Sequence, residues 1–311
     1  MNPAARQPAA TLPSTARRAV AALTLTAILA GCTPTPAHPQ PTPPPGSPKP
    51  PATLPAEPDN PADAIRAFAD RLQTAPADHT TGPVTYLHEQ AWLRASTHLD
   101  AFDTQTWRRP DGSGRTLERH LPAAANLDHE PTAGDQHRLN RVPARDTHYT
   151  WDTLPTPING PVPTNPTTLA AAIAVNYPPD NTLTTVTGIA EVAAATVPDR
   201  AQRATILRLL ARIPAITYTP HTRDAAGRPG ITIGLTHGPD SRQLIFHPET
   251  GELLAHREHT TGGARPGLFT YRLYLTRGHT TTTEQPPAAA PTVPALGSQR
   301  VPSPRVLGVA S

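Results

Sequence analysis

Proline sets the limits of what this chain can pack. Its 42 prolines crowd residues 33–58 and 286–304, where missing N–H donors and a fixed φ exclude a helix interior or a central strand. The packable part therefore runs from about Pro61 to Thr283, roughly 220 residues, enough for one substantial core. The expected organisation is a segment 1–31, a stalk 32–58, a folded domain 59–283 and a Pro/Ala-rich tail 284–311.

The first segment reads as an export signal. Arg17 and Arg18 precede an apolar run from Ala19 to Leu29, too short for a mature membrane span and of the length of a signal-peptide core. It ends in Leu29, Ala30, Gly31 and Cys32, which matches the lipobox of bacterial lipoproteins. The expectation is cleavage before Cys32, with diacylglyceryl and palmitate-type lipid on its thiol. Cys32 is the sole cysteine, so no disulfide can form within the chain. General secretory export fits better than the twin-arginine route, because Ala19, Val20 and Ala21 lack the bulky apolar pattern expected after paired arginines. The expected location is the outer face of the cytoplasmic membrane, with membrane lipid as partner through Cys32.

Residues 33–58 have almost no apolar side chain to drive collapse. As polyproline II, at about 3.1 Å per residue, they would reach on the order of 80 Å as a semi-rigid stalk. The formal charge of +3 includes Arg6, Arg17 and Arg18, and residues 1–31 hold no acid. Cleavage would bring the charge to zero. With no basic run interleaved with aromatics, nucleic acid is excluded as a partner.

In the folded part, Asn60-Pro61 and Asn165-Pro166 are helix starts, capped by the Asn oxygen with Pro in the first turn. Ile65, Phe68 and Leu72 follow the first, and Leu169, Ile173 and Tyr177 the second. Further helices are expected over Leu183–Val197 and after Asp199, the latter using Ile206, Leu207, Leu210 and Ile213 and stopping at Pro214. Strands are expected over 83–96, in a hairpin over 104–121 turning at Pro110–Gly114, and over 215–222, 231–236, 243–247, 252–258 and 269–276. Residues 122–165 lack a period and read as a long irregular excursion. The fold class is α+β: an antiparallel sheet with one apolar face and a helical insert, flanked by disordered Pro-rich tails.

This order of parts resembles a family of uncharacterised exported proteins from GC-rich Gram-positive bacteria, found as lipoproteins or with one membrane helix. The matching residues are Trp107, Arg108, Arg109 and Asp111 to Arg115; the helix Arg200–Ile213 running into Pro214; Asp224 to Gly230; and Leu244 to Leu254. That family is similar, more distantly, to half-barrels of the lipoprotein-carrier and periplasmic sigma-regulator type, whose concave apolar side covers a lipid chain. The resemblance implies a curved, half-barrel-like sheet and carries no catalytic residues over. The chain departs from the family at His247, where Asp is usual, and in its threonine-rich end after Thr276.

No chemistry-bearing constellation emerges. His256 and His259 are three apart on a strand and point to opposite faces, the wrong spacing for a shared metal, so neither metal nor cofactor is expected. Ser113 lies in Asp-Gly-Ser-Gly, which is turn chemistry rather than a nucleophile elbow. Glu249 and Glu252 flank a turn. Gly262 and Gly263 lack the Lys and the following helix of a P-loop, and nothing else in the sequence reads as a phosphate cradle. Six aromatics, Tyr86, Trp92, Trp107, Phe246, Phe269 and Tyr271, are the residues that could line a concave lipid-facing wall. The leading expectation is a non-enzymatic lipoprotein that binds an apolar ligand or an envelope partner such as a membrane protein. The alternatives are a regulatory interaction protein of an envelope or sigma-factor system, and an envelope hydrolase.

Overall fold

The computed structural model describes residues 60–78, 82–126 and 129–287. Cys32, the lipobox Leu29-Ala30-Gly31, the stalk and residues 288–311 lie outside the described residues. Among the described residues, no helix is long and apolar enough to cross a membrane.

The first helix, α1 (Pro61–Thr74), starts where the Asn60 side chain accepts from Ala62 N, with Pro61 in its first turn. Its buried stripe is Ile65, Phe68 and Leu72, each contributing about 1.5–3 kcal/mol on transfer from water. Three long antiparallel strands follow: β1 (Val84–Arg94), β2 (Leu99–Arg108) and β3 (Gly114–Ala125). The β2–β3 turn holds because Asp111 Oδ1 accepts from both the N–H and the hydroxyl of Ser113, at 2.9 and 2.7 Å. That carboxylate is the reason for the Asp-Gly-Ser-Gly pattern.

Residues 122–165 are more ordered than their lack of period suggests. They hold the last turn of β3, a short helix α2 (Ala133–Leu139) and an edge strand β4 (Arg145–Tyr149) paired with β3. A capping box between Thr132 and Asp135 starts α2, and Leu139 buries completely against the sheet. The helical insert is α3 (Pro166–Ala174), α4 (Thr182–Ala195) and α5 (Arg200–Leu210), capped by Asn165, Asn181 and Asp199. Then come β5 (Thr217–Arg223), β6 (Pro229–His237), β7 (Asp240–Phe246), β8 (Leu253–Thr260) and β9 (Gly267–Thr280).

All nine strands form one open, curved antiparallel sheet in the order β4-β3-β2-β1-β9-β8-β7-β6-β5. The last strand inserts between β1 and β8, closing the two hairpin systems into one sheet. One face carries Ile231, Ile233, Leu235, Leu244, Phe246, Leu253 and Tyr274 under the helical layer of α1, α3, α4 and α5. The opposite face is not simply polar. Trp92, Leu99, Ala101, Tyr271 and Leu273 bury there with Leu139 of α2. Expecting a single apolar face was therefore too simple, because the central strands are covered on both sides.

The turn from Asp224 to Gly230 is held by local bonding. Asp224, whose side chain is fully buried, accepts from Ala226 N, Arg228 N and Arg228 Nε. Arg228 reaches on to the carbonyls of Leu254 and Leu275. At the next turn His247 Nδ1 accepts from Glu249 N and Thr250 N, both at 3.2 Å, in the manner of an Asx-type turn.

Candidate functional site

A cleft of about 870 Å³ opens on the helix side of the sheet. Its floor is the start of β1 at Thr85 and the end of β9 at His279, one wall is the α4–α5 junction, and the other is the loop after β4. That loop is tied down at both ends. Asp152 N and Leu154 N donate to Asp111 O and Gly112 O of the β2–β3 turn, and Arg108 grips the carbonyls of Leu154 and Pro155 at 2.8 and 2.5 Å. On the helical side, Gln202 Nε2 donates to Val162 O at 3.0 Å and Thr205 Oγ1 to Thr164 O at 2.9 Å.

The lining mixes apolar Leu154, Ile158, Val162 and Val197 with charges of both signs, Asp111, Asp152 and Asp199 against Arg108 and Arg109. Trp151 projects at the rim, 72% exposed. Two lining residues hold left-handed backbone without being glycine: Asp152 (φ 51°) and Val197 (φ 47°). For β-branched Val197 that conformation is costly, and strain of this kind gathers where a binding surface is held in a set shape.

Of the six aromatics expected to share one wall, Tyr86, Trp92, Trp107 and Tyr271 lie on the sheet face away from the helices, in two pairs. Tyr86 and Trp107 pack at 5.0 Å between ring centroids, and Trp92 and Tyr271 meet edge to face at 6.3 Å. Phe246 lies on the opposite face under the helices. All five are buried, and Phe269 is the exposed one, beneath the guanidinium of Arg94 at 5.2 Å. None of the six lines the cleft. Burial pushes the Tyr86 hydroxyl up to about 12, with Asp103 adding to it, and burial likewise takes Tyr271 to about 12. The rim residue Trp151 was missed because it sits among polar residues and prolines with no periodic partner.

Two polar clusters deserve chemical assessment. On the face with α2, buried Asp103 accepts from Gln90 at 3.1 Å and Arg119 at 2.9 Å, and contacts His88 Nε2 at 2.8 Å. A histidine held by a carboxylate is the acid–base half of a hydrolase triad. Among the described residues, however, no serine or threonine hydroxyl hydrogen-bonds the other ring nitrogen of His88. Between α4 and the sheet, Glu258 meets Arg242 at 3.1 Å and Thr187 at 3.0 Å, and His256 Nε2 lies 3.3 Å away without the alignment of a hydrogen bond. Arg272 bridges Glu89 at 3.4 Å and Glu191 at 3.7 Å.

Burial raises both carboxyls. In Glu258 the His256, Arg242 and Thr187 contacts outweigh it and hold the group below its ordinary range, whereas Glu89 stays above its ordinary range despite Arg272. A pair pushed apart can mark an acid and a base, but neither lines the cleft, and both lie at the seam between α4 and the sheet. Among the described residues, no group of three or more His, Cys, Asp or Glu is placed to hold a metal ion.

The fold and cleft thus define an α+β protein with an open antiparallel sheet, a helical layer on one face and a pinned cleft at one end. No family model and no curated protein matches the chain. Among solved structures it is similar to MucB, with a TM-score of 0.31 and 12% identity over 73% of this chain and 61% of that one. It is also similar to MucB in complex with MucA(peri), with a TM-score of 0.29 and 11% identity over 72% and 56%. The match therefore spans about three fifths of the MucB chain's length.

Proposed function

We propose that this chain is an extracytoplasmic lipoprotein, anchored through Cys32 on the outer face of the cytoplasmic membrane, that binds an apolar segment in the cleft beside Trp151. In this reading residues 1–31 are removed, residues 32–58 lift the domain off the bilayer, and residues 284–311 trail from it. The lipobox Leu29-Ala30-Gly31-Cys32 and the resemblance to exported lipoproteins support the anchoring. The observation that carries the binding function is the cleft itself: about 870 Å³, within the 300–1,000 Å³ typical of ligand sites, with Leu154, Ile158, Val162 and Val197 set among polar and charged groups. The bound segment is an acyl chain or an extended stretch of an envelope protein.

Two experiments test the two halves. Fed labelled palmitate, a GC-rich Gram-positive host is expected to label the parent chain and leave Cys32→Ser unlabelled. An unlabelled parent, or equal labelling of Cys32→Ser, would refute the anchor. For the cleft, the three tryptophans give a selective probe, since Trp92 and Trp107 are 0% and 1% exposed while Trp151 is 72% exposed. Titration with palmitate, and separately with an apolar proline-containing peptide, is expected to shift emission to shorter wavelength. Trp151→Phe is expected to abolish that shift. The cleft reading fails if neither probe shifts the emission and the protein recovered from its host shows a bare mass by native mass spectrometry.

A further inference from the structure

A second cavity, of about 490 Å³, opens at the end of the sheet where β1 and β8 finish and β7 and β9 begin. It collects Arg94, Arg242, His259 and Arg265, with Asp240 as its one carboxylate. Arg94 is fixed in place. Its Nε and Nη2 donate to Leu268 O at 3.3 and 2.8 Å, its Nη1 donates to Arg265 O at 2.6 Å, and its plane lies over Phe269. Arg242 is already paired with Glu258 at 3.1 Å. Arg94 and Arg265, by contrast, have no carboxylate within ion-pair distance among the described residues. Burial and the neighbouring Arg265 both act to make the charged form of Arg94 less favourable. Two guanidinium groups thus line one recess in which, among the described residues, the one carboxylate, Asp240, pairs with neither.

The loop that closes the recess adds backbone donors. Gly263 holds φ +75° with open space where a side chain would be. Thr261 N and Gly262 N are used within the protein. For the N–H groups of Gly263, Ala264 and Arg265, no acceptor is present among the described residues. Successive free N–H groups around a left-handed residue form a concave anion seat, and arginine forks match phosphate oxygens. We infer that the Arg94–Arg265 recess with the 263–265 loop is a binding site for a phosphate group, free or carried on a lipid headgroup. It is separate from the Trp151 cleft and does not depend on that cleft's function.

The test uses residues 32–311 carrying Cys32→Ser, so that neither a lipid anchor nor the apolar run 19–29 contributes to vesicle binding. Inorganic phosphate is titrated by calorimetry, and vesicles of phosphatidylglycerol in phosphatidylcholine are compared with phosphatidylcholine alone by co-sedimentation. Saturable binding to inorganic phosphate assigns free phosphate. Binding to the phosphatidylglycerol vesicles alone assigns the lipid headgroup. In either case Arg265→Ala, an exposed residue, is expected to weaken binding about tenfold, the effect of losing one charged hydrogen-bonding partner. Gly263→Ala is expected to weaken it as well, by straining the left-handed turn. The inference is overturned if no probe binds saturably, or if Arg265→Ala binds as the parent does.

Discussion

Asp103→Ala is expected to lower folding stability by about 3 kcal/mol, the low end for breaking a buried ion pair, read as a fall in the urea midpoint at unchanged slope. The carboxylate is 1% exposed and serves three partners at once: His88, Gln90 and Arg119. Removing it strands the Arg119 guanidinium and leaves the Gln90 amide with Asn140 alone, its Oε1 already having no partner. Arg119 and His88 keep side-chain exposures of 25% and 22%, so water recovers part of the loss and the larger values are not expected. Asp103→Asn retains an acceptor and should cost less, about 1–2 kcal/mol.

The same group sets a pH signature. Burial would raise the Asp103 carboxyl, but His88, Gln90 and Arg119 together hold it below its ordinary value. Its contribution is therefore present above the unfolded value near pH 4 and is lost as pH falls through the lower folded value. Asp100, Asp135 and Glu258 act in the same direction. Glu89 acts oppositely: its raised carboxyl destabilises at neutral pH, and protonation removes that effect as pH falls toward its unfolded value. The parent should hold its stability into mildly acid conditions and lose it steeply below about pH 4, and Asp103→Ala should make that acid fall shallower. An unchanged midpoint, or an acid limb as steep as the parent's, would show that Asp103 is not a structural charge.

What the sequence reveals here is what local bonding decides. Asn60, Asn165 and Asp199 cap the helices they announce, because an N-cap needs only its own side chain and the next few N–H groups. The turns at Asp111 and Asp224 are legible for the same reason. Strand existence is legible from alternation, as at Ile231, Ile233 and Leu235, but the face each aromatic takes is not. On β9, Tyr271 and Tyr274 bury on opposite sides of one sheet, so alternation offers two apolar faces and no means of choosing between them. The α2 helix has seven residues, too few for a period, and it forms because Leu139 docks beside Trp92 on the sheet. Both cavities arise from distant residues: Arg94 meets the 265–268 backbone across more than 170 positions, and Trp151 gains its setting from bonds to a turn forty residues earlier.

Trp107→Ala is expected to cost about 3–5 kcal/mol, as for loss of a fully buried large aromatic, and to have a second effect that cavity formation alone would not produce. Trp107 packs on Tyr86 at 5.0 Å and beneath Arg115 at 5.4 Å, and its indole Nε1 donates to Gln285 O at 2.9 Å. Arg109 and Arg115 reach the side chain and carbonyl of Thr283, both at 3.3 Å. The segment 283–285 is thereby tied across the β1–β2 end of the sheet after β9 has finished, although the sequence places the start of the tail at residue 284. Without the indole that tie loses its central bond. Limited proteolysis should then cut near Thr283–Pro287 under conditions where the parent resists, while the rest of the domain stays intact. Trp107→Phe separates the two effects, since it keeps most of the ring packing but cannot donate to Gln285. It should cost only about 1 kcal/mol more than the packing change itself, yet still expose the segment to cleavage. Equal protease resistance of Trp107→Phe and the parent would mean that the Thr283 contacts to Arg109 and Arg115, rather than the indole, hold the segment in place.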